Sequence, residues 1–193
     1  TNDEIFQLFD KNKLILLFLI ENQILQVDEN ISSIMMKKYY KTAKYPEYFY
    51  REISPFTNFD IDINLDDFEE KRKIGENDAK ICELIRNDAI DEFIIYTNKN
   101  NYSLNSQIES SLFETNRFLL SKNPTLMEYS IFYGSIKIFK YLNINNVDLT
   151  KSSWLYCIHG NNPEMIYFIE EKGILPKDDT FVECLIESIK CHH

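Results

Sequence analysis

The chain has 193 residues, 44% of them hydrophobic and 27% charged, with a mean hydropathy of -0.34, values that argue against both membrane burial and disorder. A chain of this length buries roughly 70% of its unfolded surface without help from a metal or a disulfide. A net charge of -10 and a pI near 4.8 count against a nucleic-acid binder, because neutralising phosphates requires a concentrated Lys/Arg surface.

Reading from the N-terminus, the run from Ile5 to Leu25 predicts a helix hairpin, with Leu14, Leu17 and Phe18 at helical spacing. The most apolar stretch, Leu14 to Ile20, covers two helical turns and falls short of the ~18 residues of a membrane span; no secretory signal pattern precedes it. Four lysines interleave with aromatics between Met36 and Lys44, a pattern read as a solvated helix face. Tyr39 to Phe56 is dense in aromatics and reads as packing material. The alternation Phe59-Asp60-Ile61-Asp62-Ile63-Asn64-Leu65 has no strand to pair with and reads as an extended acidic loop. Its Asp60-x-Asp62-x-Asn64 opening resembles a calcium loop, but Leu65 stands where the turn glycine belongs and Lys71 where the bidentate glutamate belongs. Asp66-Asp67 and Glu69-Glu70 read as a solvated helix face. Residues 1–75 are therefore expected to form a helical N-terminal region, a degenerate repeat or cap.

From residue 76 onward, short apolar-periodic segments alternate with the breakers Asn87-Asp88, Asn100-Asn101, Asn123-Pro124, Gly134-Ser135, Asn145-Asn146, Gly160 to Pro163 and Gly173 to Pro176. Thr125 to Leu142 superimposes 27 residues later on Ser152 to Ile169: Ser130-Ile131 falls on Cys157-Ile158, Ile138-Phe139 on Met165-Ile166, and Tyr141-Leu142 on Phe168-Ile169. The same spacing appears 46 residues earlier as Leu84-Ile85 and Asp88-Ala89-Ile90. The extra length between Asn101 and Lys122, with Leu112-Phe113 and Phe118-Leu119-Leu120, predicts an inserted helix. A further copy starts near Glu183, with Ser188-Ile189 at the small-residue pair. Each copy encodes a helix, a tight turn and a second helix. Small side chains at Ser130, Cys157 and Ser188 let neighbouring first helices approach, and Ile138, Phe139 and Leu142 fill the layer between second helices. The fold class expected is all-α, stacked helix-turn-helix repeats over residues 76–193 with the last one truncated. Because the chain begins at Thr1 and stops at Cys191-His192-His193 in mid-pattern, a fragment of a longer protein is expected.

The run from Thr125 to Leu149 resembles the ankyrin repeat. Thr125, Met127, Ser130, Gly134, Ile138, Lys140, Leu142 and Asp148 match that pattern by residue or type, and Ser152, Trp154, Cys157, Met165, Ile169 and Gly173 match it in the next copy. The Pro-Leu-His string and the Ala-Ala pair are missing, and the 27-residue spacing is short. Residues 69–78 and 158–164 resemble the divergent ankyrin-type proteins expanded in parasitic protists. The resemblance implies an α-solenoid that binds other proteins.

Cysteines at Cys82, Cys157, Cys184 and Cys191 lack the close spacing of a disulfide framework or zinc ribbon and read as reduced thiols of an intracellular protein, cytoplasmic or nuclear. Cys157 and His159 raise a thiol-hydrolase reading, but Cys157 sits at the small-residue repeat position. No phosphate loop, His-Glu-x-x-His or Gly-x-Ser-x-Gly is present. The function expected is a non-catalytic protein-interaction scaffold, with no catalytic residue, metal or cofactor, no nucleic-acid or membrane partner, and a protein partner of basic surface. A regulatory or targeting module of a larger protein is the alternative. The outward positions expected to meet the partner are Glu128, Phe132, Lys151, Tyr156 and His159.

Overall fold

The computed structural model describes residues 1–37, 40, 43–58, 67–177 and 179–192, so the alternating stretch at 59–65 with its calcium-loop opening lies outside the described residues, as do Lys38, Tyr39, Lys41, Thr42, Asp66 and His193. Among the described residues the chain is all-helical, without a strand. The helices are α1 (Asn2–Phe9), α2 (Lys13–Glu21), α3 (Glu29–Met35), α4 (Tyr45–Tyr48), α5 (Tyr50–Ile53), α6 (Phe68–Ile74) and α7 (Lys80–Arg86). They continue as α8 (Ile90–Lys99), α9 (Arg117–Lys122), α10 (Leu126–Tyr133), α11 (Ile136–Ile144), α12 (Ser153–Gly160), α13 (Pro163–Glu171) and α14 (Val182–Lys190). None of the described helices is long and apolar enough to cross a membrane. The chain divides into two compact units, one of residues 1–78 with 110–122 and the other of residues 79–109 with 123–193.

In the first unit, side-chain caps start the helices. Thr1 and Glu4 form a reciprocal capping box on α1, Asn12 accepts from the Ile15 amide on α2 (3.0 Å), and Asp28 accepts from the Ile31 amide on α3 (2.8 Å); each such cap is worth about 1 kcal/mol. Phe6, Leu16, Leu17, Ile31, Met35 and the aromatics Tyr45, Tyr48 and Phe49 form one buried cluster, as the aromatic density predicts. Tyr48 Oη donates to the Arg72 carbonyl (2.9 Å), and Arg72 Nη1 donates back to the Tyr48 carbonyl (3.2 Å). The buried Arg72 guanidinium is neutralised by Glu52 (2.8 Å) and Glu69 (2.9 Å). Glu69 is thus a structural counter-ion and not part of a purely solvated face.

The inserted segment closes this unit. Only Arg117–Lys122 is helical; Leu112-Phe113 is irregular, the Phe113 amide donating to Ser111 Oγ (3.0 Å). Thr115 donates through both its amide (3.0 Å) and its hydroxyl (2.7 Å) to the Gly75 carbonyl, and the Phe113 ring meets Phe68 edge-on at 5.6 Å. Gly75 ends α6 at φ +71, and a Cβ there would lie 2.9 Å from both Leu14 Cδ1 and Thr115 Oγ1, so both the left-handed turn and the docking of this segment require glycine. The Lys13 ammonium is buried between the Tyr45 and Tyr48 rings (5.7 and 5.0 Å to the centroids) and donates to the Leu112 carbonyl (3.2 Å).

In the second unit, α7–α8, α10–α11 and α12–α13 are hairpins, and the first helices are in contact in chain order, α7 with α10, α10 with α12 and α12 with α14; α8 also meets α11. All three hairpins turn through a left-handed residue, Asp88 (φ 47), Gly134 (φ 67) and Asn161 (φ 45). Their second helices end on Asn101 (φ 48), Asn146 (φ 58) and Gly173 (φ 66). In each case the next amide returns to a helix carbonyl: Tyr102 to Thr97 (2.8 Å), Val147 to Leu142 (3.0 Å) and Ile174 to Ile169 (3.4 Å). Met127, Ser130, Cys157, Ile138 and Leu142 are fully buried. At α14 the register differs from the sequence reading. Cys184 is the buried small residue, whereas Ser188 is half-exposed and Ile189 is 64% exposed. The 27-residue step that leads from Ser130 to Cys157 leads on to Cys184.

Burial of the Lys13 ammonium, reinforced by repulsion from Lys44, lowers its pKa from 10.5 to about 8. The unfolded chain therefore holds the extra proton between these two values, and stability must rise with pH there. In urea unfolding at a series of pH values, the stability of the wild type minus that of Lys13→Met is expected to be flat below about pH 8 and to climb by roughly 3 kcal/mol toward pH 10.5. A level difference across that window would show that the ammonium is not desolvated.

Candidate functional site

The five residues expected at the partner surface all lie in the second unit, but they do not share one environment. Glu128 is only 7% exposed. As the third residue of α10 it turns back to cap the helix, accepting from the Thr125 amide (3.0 Å) while Thr125 Oγ1 accepts from the Glu128 amide (3.2 Å). Its other carboxylate oxygen accepts from the hydroxyls of Thr150 (3.1 Å) and Ser152, which ties the loop before α12 to the start of α10. Tyr156 is 3% exposed, and its phenol is pushed well above the usual range by burial and by the Glu128 charge. The expectation that all five side chains point outward is thus corrected at Glu128 and Tyr156. The capping box and the Thr150 and Ser152 hydroxyls consume the Glu128 carboxylate, and Tyr156 lies on α12, which packs on α10.

The remaining three reach the surface. Lys151 is exposed and pairs with Asp179 (2.9 Å; both partners more than half exposed), a contact worth little in water. Phe132 and His159 are half-buried and stack on one another with ring centroids 5.9 Å apart and planes 27° apart.

Around His159 the fold assembles a group of side chains that the sequence holds far apart. Glu187 and Cys191, four residues apart, share one face at the end of α14, and this face meets the His159 side chain from α12. His159 Nε2 lies 2.8 Å from Glu187 Oε1. Cys191 Sγ lies 3.3 Å from Nδ1 and 3.7 Å from Nε2. The second carboxylate oxygen of Glu187 accepts from Lys190 Nζ (2.9 Å). Burial would raise the Glu187 pKa, but hydrogen bonds from Lys190 and His159 outweigh it and hold the carboxyl below its usual value.

The order Cys191, His159, Glu187 is that of a thiol–imidazole–carboxylate triad, yet the electrostatics oppose nucleophilic chemistry. Burial and the neighbouring Glu187 raise the Cys191 thiol pKa. Cys191 also caps the C-terminus of α14, where the helix dipole disfavours an anion. Cys157, the thiol that sequence reading pairs with His159, is fully buried; burial, with Cys184 beside it, pushes it up to about 12. His159 is engaged instead with Glu187 and Cys191. The cue to this cluster was the repeat register, since 27 residues beyond His159 stands Ile186, the neighbour of Glu187.

No family model, curated protein or solved structure matches the chain.

Alkylation of the native protein is expected to modify Cys191 and to spare Cys82, Cys157 and Cys184, all buried, until the protein unfolds; early labelling of Cys157 by mass spectrometry would contradict the packing described. Glu128→Ala should destabilise by about 2 kcal/mol in denaturant unfolding, because it strands the Thr125 amide and two hydroxyls at once. An effect within 0.5 kcal/mol, the range of ordinary surface substitutions, would mean that the carboxylate is not the clasp between α10 and α12.

Proposed function

We propose that the chain is a non-catalytic protein-interaction scaffold whose second unit is a stack of ankyrin-like helix hairpins. The observation that carries this reading is the threefold recurrence of one hairpin grammar. A left-handed residue at Asp88, Gly134 and Asn161, and another at Asn101, Asn146 and Gly173, bracket each second helix, while the first helices contact one another in file. Such hairpins cannot bury their apolar faces singly, and stacking buries them while leaving an extended face for recognition.

The contact surface is centred on Phe132, His159 and Lys151, with Glu128 and Tyr156 supporting it from beneath. The net charge of -10 favours a partner of basic surface, drawn in by long-range attraction that salt screens. The raised thiol pKa of Cys157 and of Cys191 supports a non-catalytic role. Thr125, Met127, Ser130, Gly134, Ile138 and Leu142 supply the likeness to the ankyrin pattern, and the first four of these sit at the cap, core and turn of α10.

The test is affinity capture with the full chain as bait, comparing the wild type with the single variant Phe132→Ala. Expected is a salt-sensitive complex with a basic protein, weakened about 10-fold or more in the variant, with the melting temperature changed by less than about 3 °C. Equal capture by both proteins, or loss of capture only when the fold is lost, would overturn the assignment of this surface.

A further inference from the structure

The geometry points to a zinc-class divalent metal site formed by His159, Glu187 and Cys191, clamping α14 to α12. One ligand atom from each residue lies within 4.8 Å of the other two, and all three side chains are half-buried, neither sealed off from an entering ion nor free to disperse into water. Four-coordinate zinc, with bonds of about 2.3 Å to sulfur and 2.0–2.2 Å to nitrogen or oxygen, sets ligand atoms roughly 3.3–3.6 Å apart. Cys191 Sγ and His159 Nε2 are 3.7 Å apart, already close to that span. His159 Nε2 and Glu187 Oε1, at 2.8 Å, are at hydrogen-bond distance and must open by roughly 0.5 Å as an ion replaces the proton between them. That opening and the turn of the imidazole toward the ion use χ2 of His159 and χ3 of Glu187, both soft torsions.

The surroundings fit the chemistry. Lys190 holds Oε2 of Glu187 and leaves Oε1 for the ion, the kind of outer-shell contact that orients metal ligands. Phe132 covers one face of the imidazole, a dry wall on that side of the site. Thiolate and imidazole are the ligands that favour zinc over magnesium or calcium. On binding, three bonds to the ion form, the Cys191 S–H bond breaks and its proton goes to solvent, and the imidazole proton settles on Nδ1. The resulting thiolate and carboxylate neutralise the dication, and a water takes the fourth position. Nothing in this chemistry needs a redox partner. The site shares His159 and Phe132 with the proposed contact surface but does not rest on that reading, because it would staple α12 to α14 whatever docks on the unit.

The experiment is titration of the full chain with Co2+, followed by competition with Zn2+. One equivalent of Co2+ is expected to produce a sulfur-to-cobalt charge-transfer band with tetrahedral visible bands, all removed by Zn2+. Cys191→Ser should abolish the charge-transfer band and weaken binding by more than roughly 100-fold, and Lys190→Ala, an outer-shell change, by about 10-fold. His192→Ala should leave the band in place. X-ray absorption at the zinc edge of the wild type gives a reading that needs no variant, and one sulfur among nitrogen and oxygen ligands is expected. No charge transfer in the wild type, its persistence in Cys191→Ser, its loss in His192→Ala, or a zinc shell without sulfur would each overturn the site.

Discussion

Two-turn helices do not stand alone in water, and this chain is built almost entirely from them, so every element depends on being flanked. The constraint is sharpest at α10, where six consecutive residues from Leu126 to Ile131 are buried. Over those six residues the helix has no solvent face, so the polar groups there must be satisfied inside. Ser130 donates to the Met127 carbonyl (2.7 Å), Ser135 donates to the carbonyl of Ile85 in the preceding hairpin, and Glu128 is saturated by Thr125, Thr150 and Ser152. Asp88 extends the same logic between hairpins, because its carboxylate accepts from the Lys137 and Ile138 amides (3.1 and 3.0 Å) at the start of α11. The approach of α12 to α10 is set by Gly160, where a Cβ would lie 2.5 Å from the Phe132 carbonyl oxygen.

The first unit is held by a different means, an aromatic cluster that surrounds two buried cations. Arg72 and Lys13 are 3% and 2% exposed, but their compensation is unequal. Arg72 has two carboxylates and a carbonyl within hydrogen-bond reach, matching a planar fork of donors. Lys13 has one carbonyl and two ring faces, and desolvation outweighs the Glu114 and Glu47 charges in its titration. The arginine fixes the α5–α6 geometry, whereas the lysine makes the unit gain stability as pH rises above about 8.

Much of this was legible in the residues. Helical periodicity and the Asn, Asp and Gly breakers located the hairpins, and the small residues at Ser130 and Cys157 marked the faces where first helices meet. What escaped reading was decided by contacts remote in sequence. Glu128 looked like a solvent-facing residue of a first turn, since nothing local reveals that Thr150 and Ser152 will close over it. Ser188 looked like the next small contact because its Ser-Ile pair resembles Ser130-Ile131, but the buried small residue is Cys184, one turn earlier and on the 27-residue step from Cys157. The inserted segment read as helix from its apolar content, while Thr115 and Phe113 instead commit it to Gly75 and Phe68. The His159, Glu187 and Cys191 cluster depends on the stacking phase of α12 and α14 and not on any motif.

The chain's path also bears on how the molecule is made. The first unit takes residues 1–78 and then 110–122, with 79–109 belonging to the other. A ribosome releasing the N-terminal portion therefore delivers a body whose Gly75 carbonyl, Lys13 ammonium and Phe68 ring still await Thr115, Leu112 and Phe113. That body must remain incomplete through the synthesis of the α7–α8 hairpin, and its closure is coupled in time to the emergence of a segment lying beyond a foreign element. Vectorial folding, one domain finished before the next begins, is denied to this architecture. A protease or a gene truncation acting between residues 79 and 109 would separate the N-terminal body from the stretch that completes it.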